Sequence, residues 1–137
     1  MYTPILAACA SGKSEETIEL LINLGADYNA TTSGELSIFH LACLNGHDHI
    51  LKQLLSLKVN NESLEMKVNS KGVHPIHYAA ACKTGSLCLD LLVSIGVDVN
   101  MATYIEGTTA MHVAALNNRT SCALILYSNG TIMKLIF

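Results

Sequence analysis

Histidine and cysteine are the side chains in this sequence best suited to chemistry. There are six histidines (His40, His47, His49, His74, His77 and His112) and five cysteines (Cys9, Cys43, Cys82, Cys88 and Cys122). His74-x-x-His77, with Cys82 and Cys88 downstream, offers the ligand types of a zinc site. The spacing is not that of a finger, because no Cys-x-x-Cys pair exists. An odd number of scattered cysteines does not form a disulfide framework and reads as small buried thiols. No serine or cysteine lies in a glycine-flanked elbow, and no Gly-x-x-x-x-Gly-Lys loop offers a phosphate cradle. The carboxylates are few and scattered, so no acid and base are paired. The expectation is no catalytic residue, no metal ligand and no cofactor: a chain that is not an enzyme.

Three of the histidines recur at one place in a repeated unit. TPILAACASG, SIFHLACLNG, HPIHYAAACK and TAMHVAALNN start at Thr3, Ser37, His74 and Thr109, which lie 34, 37 and 35 residues apart. A residue that recurs in successive units serves the unit, whereas catalysis would not need it three times. His40, His77 and His112 are therefore read as structural.

The units explain themselves as helix pairs. Thr or Ser opens a helix because its hydroxyl accepts a bond from an unpaired backbone N–H, and Pro suits the first helical position. Thr3-Pro4 has both features, His74-Pro75 only the proline, and Thr109-Ala110 only the cap. A small pair follows (Ala8-Cys9, Ala42-Cys43, Ala79-Ala80, Ala114-Ala115) and lets neighbouring helices approach closely. Gly12, Gly46 and Asn118 suit a left-handed helix end. The second helices each carry one apolar stripe: Ile18, Leu21 and Ile22; Ile50, Leu51, Leu54 and Leu55; Leu89, Leu92 and Val93. Gly25, Gly96 and Gly130 release the chain into turns, with Gly34, Gly72 and Gly107 near the tips. The linker from Val59 to Val73 is longer than the others and polar. It is either a projecting finger or a tolerated insertion.

This pattern resembles the ankyrin repeat, about 33 residues long with a T-P-L-H-x-A core. The resemblance spans nearly the whole chain and includes the strings GADYN and GVDVN. It implies an all-α fold, an ankyrin-repeat solenoid of about four helix-turn-helix units joined by hairpin-like loops. The chain reads as a single domain over 1–137, with repeats at approximately 1–34, 35–71, 72–106 and 107–137. In the family the recurrent imidazole bonds to backbone and to the capping hydroxyl, and His47 holds the usual position after the glycine. The resemblance also implies binding of a protein or peptide through the concave side. Its contact positions fall on Leu36, Ser70, Lys71, Val73, Ile105 and Glu106 at the hairpin tips, with Thr108 beside them. On the first helices they fall on Leu44, Asn45, Cys82, Leu116 and Asn117, with Ala81 beside them. Asn29 and Asn100 end Leu-x₅-Asp-x-Asn strings, and the resemblance implies that such hairpin asparagines can be substrates of an asparaginyl hydroxylase. The rival reading is that each asparagine only satisfies hairpin backbone groups.

Charge and hydropathy set the class of partner. The net charge is −3 and only 14% of residues are charged, so no basic field draws in nucleic acid. No apolar run is long enough to span a bilayer, so no direct membrane insertion is expected. The N-terminus lacks the features of a signal peptide, and with the free thiols this places the chain in the cytoplasm, or alternatively the nucleus. From Ser121 to Phe137 the only charge is Lys134, and the apolar end (Ile132, Met133, Leu135, Ile136, Phe137) suggests either a segment of a longer array or self-association. The function expected is an interaction scaffold, part of a larger intracellular protein. The alternative is a regulatory or sensing module of a larger enzyme, kinase or channel.

Overall fold

The computed structural model describes residues 2–131. It contains four helix pairs: α1 (Pro4–Ser11) with α2 (Glu15–Asn23), α3 (Ile38–Leu44) with α4 (Asp48–Ser56), α5 (Pro75–Ala81) with α6 (Ser86–Ser94), and α7 (Ala110–Leu116) with α8 (Thr120–Ser128). A two-stranded hairpin, β1 (Lys58–Val59) with β2 (Glu62–Ser63), follows α4. The first helices form one row, α1–α3–α5–α7, and the second helices another, α2–α4–α6–α8. The core is the seam between the rows. Ile5, Leu6, Ile18, Ile38, Ile50, Leu51, Leu54, Ile76, Leu89, Leu92 and Leu126 are fully buried there. Each such side chain contributes on the order of 1.5–3 kcal/mol by leaving water. The second helices supply the larger share of these: Ile18 on α2, Ile50, Leu51 and Leu54 on α4, Leu89 and Leu92 on α6, and Leu126 on α8. The small pairs sit where the first helices touch, and Cys9, Ala42, Cys43, Ala79, Ala80 and Ala114 are buried. All five thiols are free, and only Cys82 is partly exposed.

The helix ends follow local chemistry. Thr3, Ser37 and Thr109 cap α1, α3 and α7 by accepting the backbone N–H of Leu6, His40 and His112. His74, read from sequence as having no cap to offer, does cap α5: its Nδ1 accepts the Ile76 N–H at 3.0 Å. Burial of this imidazole keeps Nδ1 unprotonated and so able to accept. Gly46 and Asn118 are left-handed, and His47 N–H and Arg119 N–H then reach back to Ala42 O and Ala114 O. No glycine follows α4. Leu57 stays extended (φ −69°, ψ 142°) and the chain runs on into the β-hairpin. Asn60 and Asn61, both at positive φ, make its two-residue turn. The long linker therefore opens as a short strand pair within an otherwise helical fold.

The three connecting hairpins are built alike. In each, one side chain accepts the backbone N–H that closes the turn: Thr32 from Leu36, Asn69 from Val73, Thr103 from Thr108. The left-handed residue is Gly72 in the second and Gly107 in the third, but in the first it is Glu35, not Gly34. Adjacent second and third hairpins are joined through the Tyr104 N–H to Lys71 O, at 2.9 Å.

Two glycines separate conformational strain from crowding. Gly46 (φ +69°) is left-handed, and an added Cβ would collide with the Thr84 side chain and lie 3.0 Å from Thr84 O. Gly96 (φ +91°) has open space where its Cβ would go. Gly46→Ala should destabilise by about 2–4 kcal/mol and Gly96→Ala by about 1–2 kcal/mol, measured by urea denaturation. Equal losses would show that Gly46 is not a point of close approach between repeats.

Candidate functional site

The histidines are already occupied. His40 Nδ1 accepts from the Ser37 N–H (3.2 Å) and hydroxyl (2.8 Å), so its proton lies on Nε2 and is donated to Val73 O (2.8 Å). His77 repeats the arrangement, accepting from the His74 N–H (3.0 Å) and donating to Met101 O (3.0 Å). His112 accepts from the Thr109 N–H and hydroxyl. Each of the first two rings thus ties a helix start to the next hairpin. His47 Nε2 donates to Ala10 O and His49 Nε2 to Gly12 O, both at 2.9 Å, and the Arg119 guanidinium does the same for Ala81 O. His49 is exposed yet still reaches the preceding unit. Among the described residues, no group of three or more His, Cys, Asp or Glu is placed to hold a metal ion. No helix there is long and apolar enough to cross a membrane.

Burial is the main force on these rings. It lowers the pKa of His40 and of His77, and pushes that of His74 down to about 4, with the neighbouring His40 and His77 adding to the effect. Protonating any of the three places a second donor against a backbone N–H. Their folded-state values lie below the ordinary 6.5, so the stability they confer is complete above that pH. It falls as the pH drops towards the folded values. The histidines should therefore leave stability flat between pH 7 and 8 and make it decline between pH 6.5 and 5. His74→Asn, which keeps a capping group, should remove about one proton from that slope, seen in denaturation midpoints across the range. A profile unaltered by the substitution would show that His74 titrates alike in both states.

The concave face lies between the hairpin tips and the row of first helices. There the structure opens a groove of about 420 Å³, lined mainly by apolar surface. Of the contact positions expected from sequence it brings together Lys71, Val73, Ile105 and Glu106, with Ala81 and Thr108. Lys71 and Val73 stand on the second hairpin, Ile105 and Glu106 on the third, and the floor comes from α5 and α7. Ile105 is 88% exposed. Tyr78, Val113, Thr103 and His77 also line the groove and were not among the expected contacts. Their place in the repeat does not single out Tyr78 and Val113: each follows a recurrent histidine and is half-buried, but Leu41, which follows His40, is buried.

The other expected positions lie outside this groove. Leu36 packs against the core. Ser70 lies in a separate, more polar cleft of about 250 Å³ with Tyr28, Asn69 and Glu35. Its hydroxyl donates to the Glu35 carboxylate, a bond that lowers the Glu35 pKa. Asn45 and Asn117 each donate to a carbonyl one turn back, Leu41 O and Val113 O. Leu116 is 84% exposed, Leu44 37%, and the Cys82 thiol lies 3.6 Å from the Thr84 hydroxyl. Asn29 and Asn100 sit in matching turns, each N–H donating to the aspartate two residues earlier (2.9 Å). Asn29 is exposed, whereas the Asn100 amide also donates to Gly130 O at 3.1 Å. The apolar end expected to self-associate, Ile132, Met133, Leu135, Ile136 and Phe137, lies outside the described residues. On α8, Leu124 and Tyr127 are exposed.

Comparison with known proteins agrees with this architecture. The family model for ankyrin repeats (3 copies) matches residues 4–102 and 39–135. The chain is 33% identical over 130 residues to the nuclear factor NF-kappa-B p105 subunit of Gallus gallus, covering 95% of this chain and 13% of that protein. It is 29% identical over 127 residues to SH3 and multiple ankyrin repeat domains protein 2 of Homo sapiens, covering 91% of this chain and 6% of that protein. The chain thus spans only a small fraction of the curated relatives it matches. The crystal structure of the human ASB11 ankyrin repeat domain superposes with a TM-score of 0.75 at 26% identity, covering 94% of this chain and 55% of that one.

Proposed function

The chain belongs to the ankyrin repeat family of protein-interaction modules, and from that premise we propose that it is a scaffold binding a partner protein or peptide through its concave face. The observation that supports this most is the apolar groove between the second and third hairpins, on a backbone already held by turn and helix bonds. A preformed surface loses little ordering entropy on binding. The side chains with chemical capability are engaged in holding helix starts and hairpins, which favours binding over catalysis. The low content of positive charge favours a protein over a nucleic acid. We place the chain in the cytoplasm, with the nucleus as the alternative compartment, and within a larger protein. A second reading, a regulatory or sensing module of a larger enzyme, kinase or channel, rests on how small a share of its relatives' length the chain matches. Self-association through the apolar last helix pair is a further mode, supported by exposed Leu124 and Tyr127.

The groove is tested by a matched pair of surface substitutions. Ile105→Asp places a charge on the groove lip. Leu87→Asp places one on the outer side of α6, where Leu87 is also exposed. Both should alter stability by no more than about 0.5 kcal/mol. Quantitative capture of partners from a cell lysate should fall more than about tenfold with Ile105→Asp (~1.4 kcal/mol) and stay unchanged with Leu87→Asp. Equal capture by both variants would remove the concave face from the account.

Asparaginyl hydroxylation is proposed at Asn29 ahead of Asn100, because Asn29 is exposed and the Asn100 amide is engaged by Gly130 O. Peptide mass analysis after co-expression with an asparaginyl hydroxylase should show one added oxygen on the Asn29 peptide. No added oxygen on either peptide rejects the modification.

A further inference from the structure

The groove's two lips differ in charge. Lys71 stands on the second hairpin and Glu106 on the third, and no salt bridge joins them. Between them lie Val73, Ile105 and, on the floor, Tyr78 and Val113. Accepting that the concave face is where a partner binds, we propose that this groove takes an extended peptide segment with one large apolar side chain, flanked by an acidic residue on the Lys71 side and a basic residue on the Glu106 side.

The argument runs from volume, lining and charge. About 420 Å³ is within the range of pockets that enclose a small ligand, and it exceeds what a single small side chain fills. Most of the lining is apolar, so the group that enters must be apolar to gain by leaving water. The floor carries no positive charge, because burial lowers the pKa of His77 and its Nε2–H is spent on Met101 O. Polar recognition is left to the lips. Their opposite signs lie one on each neighbouring hairpin, so a segment running along the row of helices meets them in sequence. The hairpins are tied by Tyr104 N–H to Lys71 O, and a Cβ on Gly72 would collide with the Tyr104 ring. The Tyr104 ring therefore covers the turn that carries Lys71, holding the two lips in a set relation. Rim charges of this kind contribute more to register and discrimination than to affinity. They should thus decide the direction in which a segment lies, while the apolar anchor supplies most of the binding.

Selection of a displayed random peptide library on the 137-residue chain tests this. The enriched set should share one large aliphatic or aromatic residue with an acidic residue on one side and a basic residue on the other. Lys71→Glu and Glu106→Lys should each weaken a selected synthetic peptide at least tenfold, with unchanged thermal melting. The double exchange should select peptides with the same anchor and the two charges in reversed order. Three results would overturn the proposal: no enriched peptide, a consensus without an apolar anchor, or a charge pattern indifferent to the double exchange. Failure here leaves the scaffold reading standing if lysate capture still depends on Ile105. Loss of that dependence would remove the scaffold reading itself.

Discussion

No helix pair in this chain can hide its own apolar side. Ile18 is buried on α2, Ile50, Leu51 and Leu54 on α4, and Leu89 and Leu92 on α6, each in a seam that continues into neighbouring units. The stack follows from that constraint. A unit of two short helices exposes a stripe that only another unit of the same shape covers, so the units lie side by side. Small residues on the first helices set how near they come. The hairpins project from the same edge of every unit, and the face between them and the first helices is what the packing leaves open to solvent.

Hydrogen bonds refine what burial dictates. The recurrent imidazole bonds a helix start through Nδ1 and, in His40 and His77, the next hairpin through Nε2. A second set of ties runs on the opposite side of the first helices, from His47, His49 and Arg119 to carbonyls of the preceding unit. These bonds fix the angle between units, and so the position of Lys71 relative to Glu106. The same burial that keeps His40, His74 and His77 neutral, and so able to accept, makes them poor general acids or bases near neutral pH. The structural reading of the histidines thus rests on the bonds they make in the stack.

Much of the fold was legible because it obeys local rules. The recurring Ser/Thr caps, the small pair and the glycine spacing identified four helix pairs, and left-handed Asn118 was recognisable from its place in the pattern. The exceptions have physical causes that a residue-type rule does not carry. His74 caps α5 because burial keeps its ring unprotonated, and an imidazole is not an ordinary capping group. Glu35 takes the left-handed place that Gly34 would have filled more cheaply, where its carboxylate meets Ser70. The groove was only partly legible. Its lips could be named from hairpin position, but Tyr78 and Val113 at its floor depend on how far each first helix is rotated. Leu36, in turn, is half-buried against the core by packing that no single repeat reveals.

The account stands on the claim that the face left open by stacking is the face that binds. Hydrogen–deuterium exchange of the chain, alone and with a captured partner, measures this most directly. The account predicts slowed exchange in residues 69–73 and 103–108 and in the C-terminal turns of α5 and α7, with the outer turns of α2, α4, α6 and α8 unchanged. Slowing confined to the second helices, with both hairpins unaffected, would contradict it.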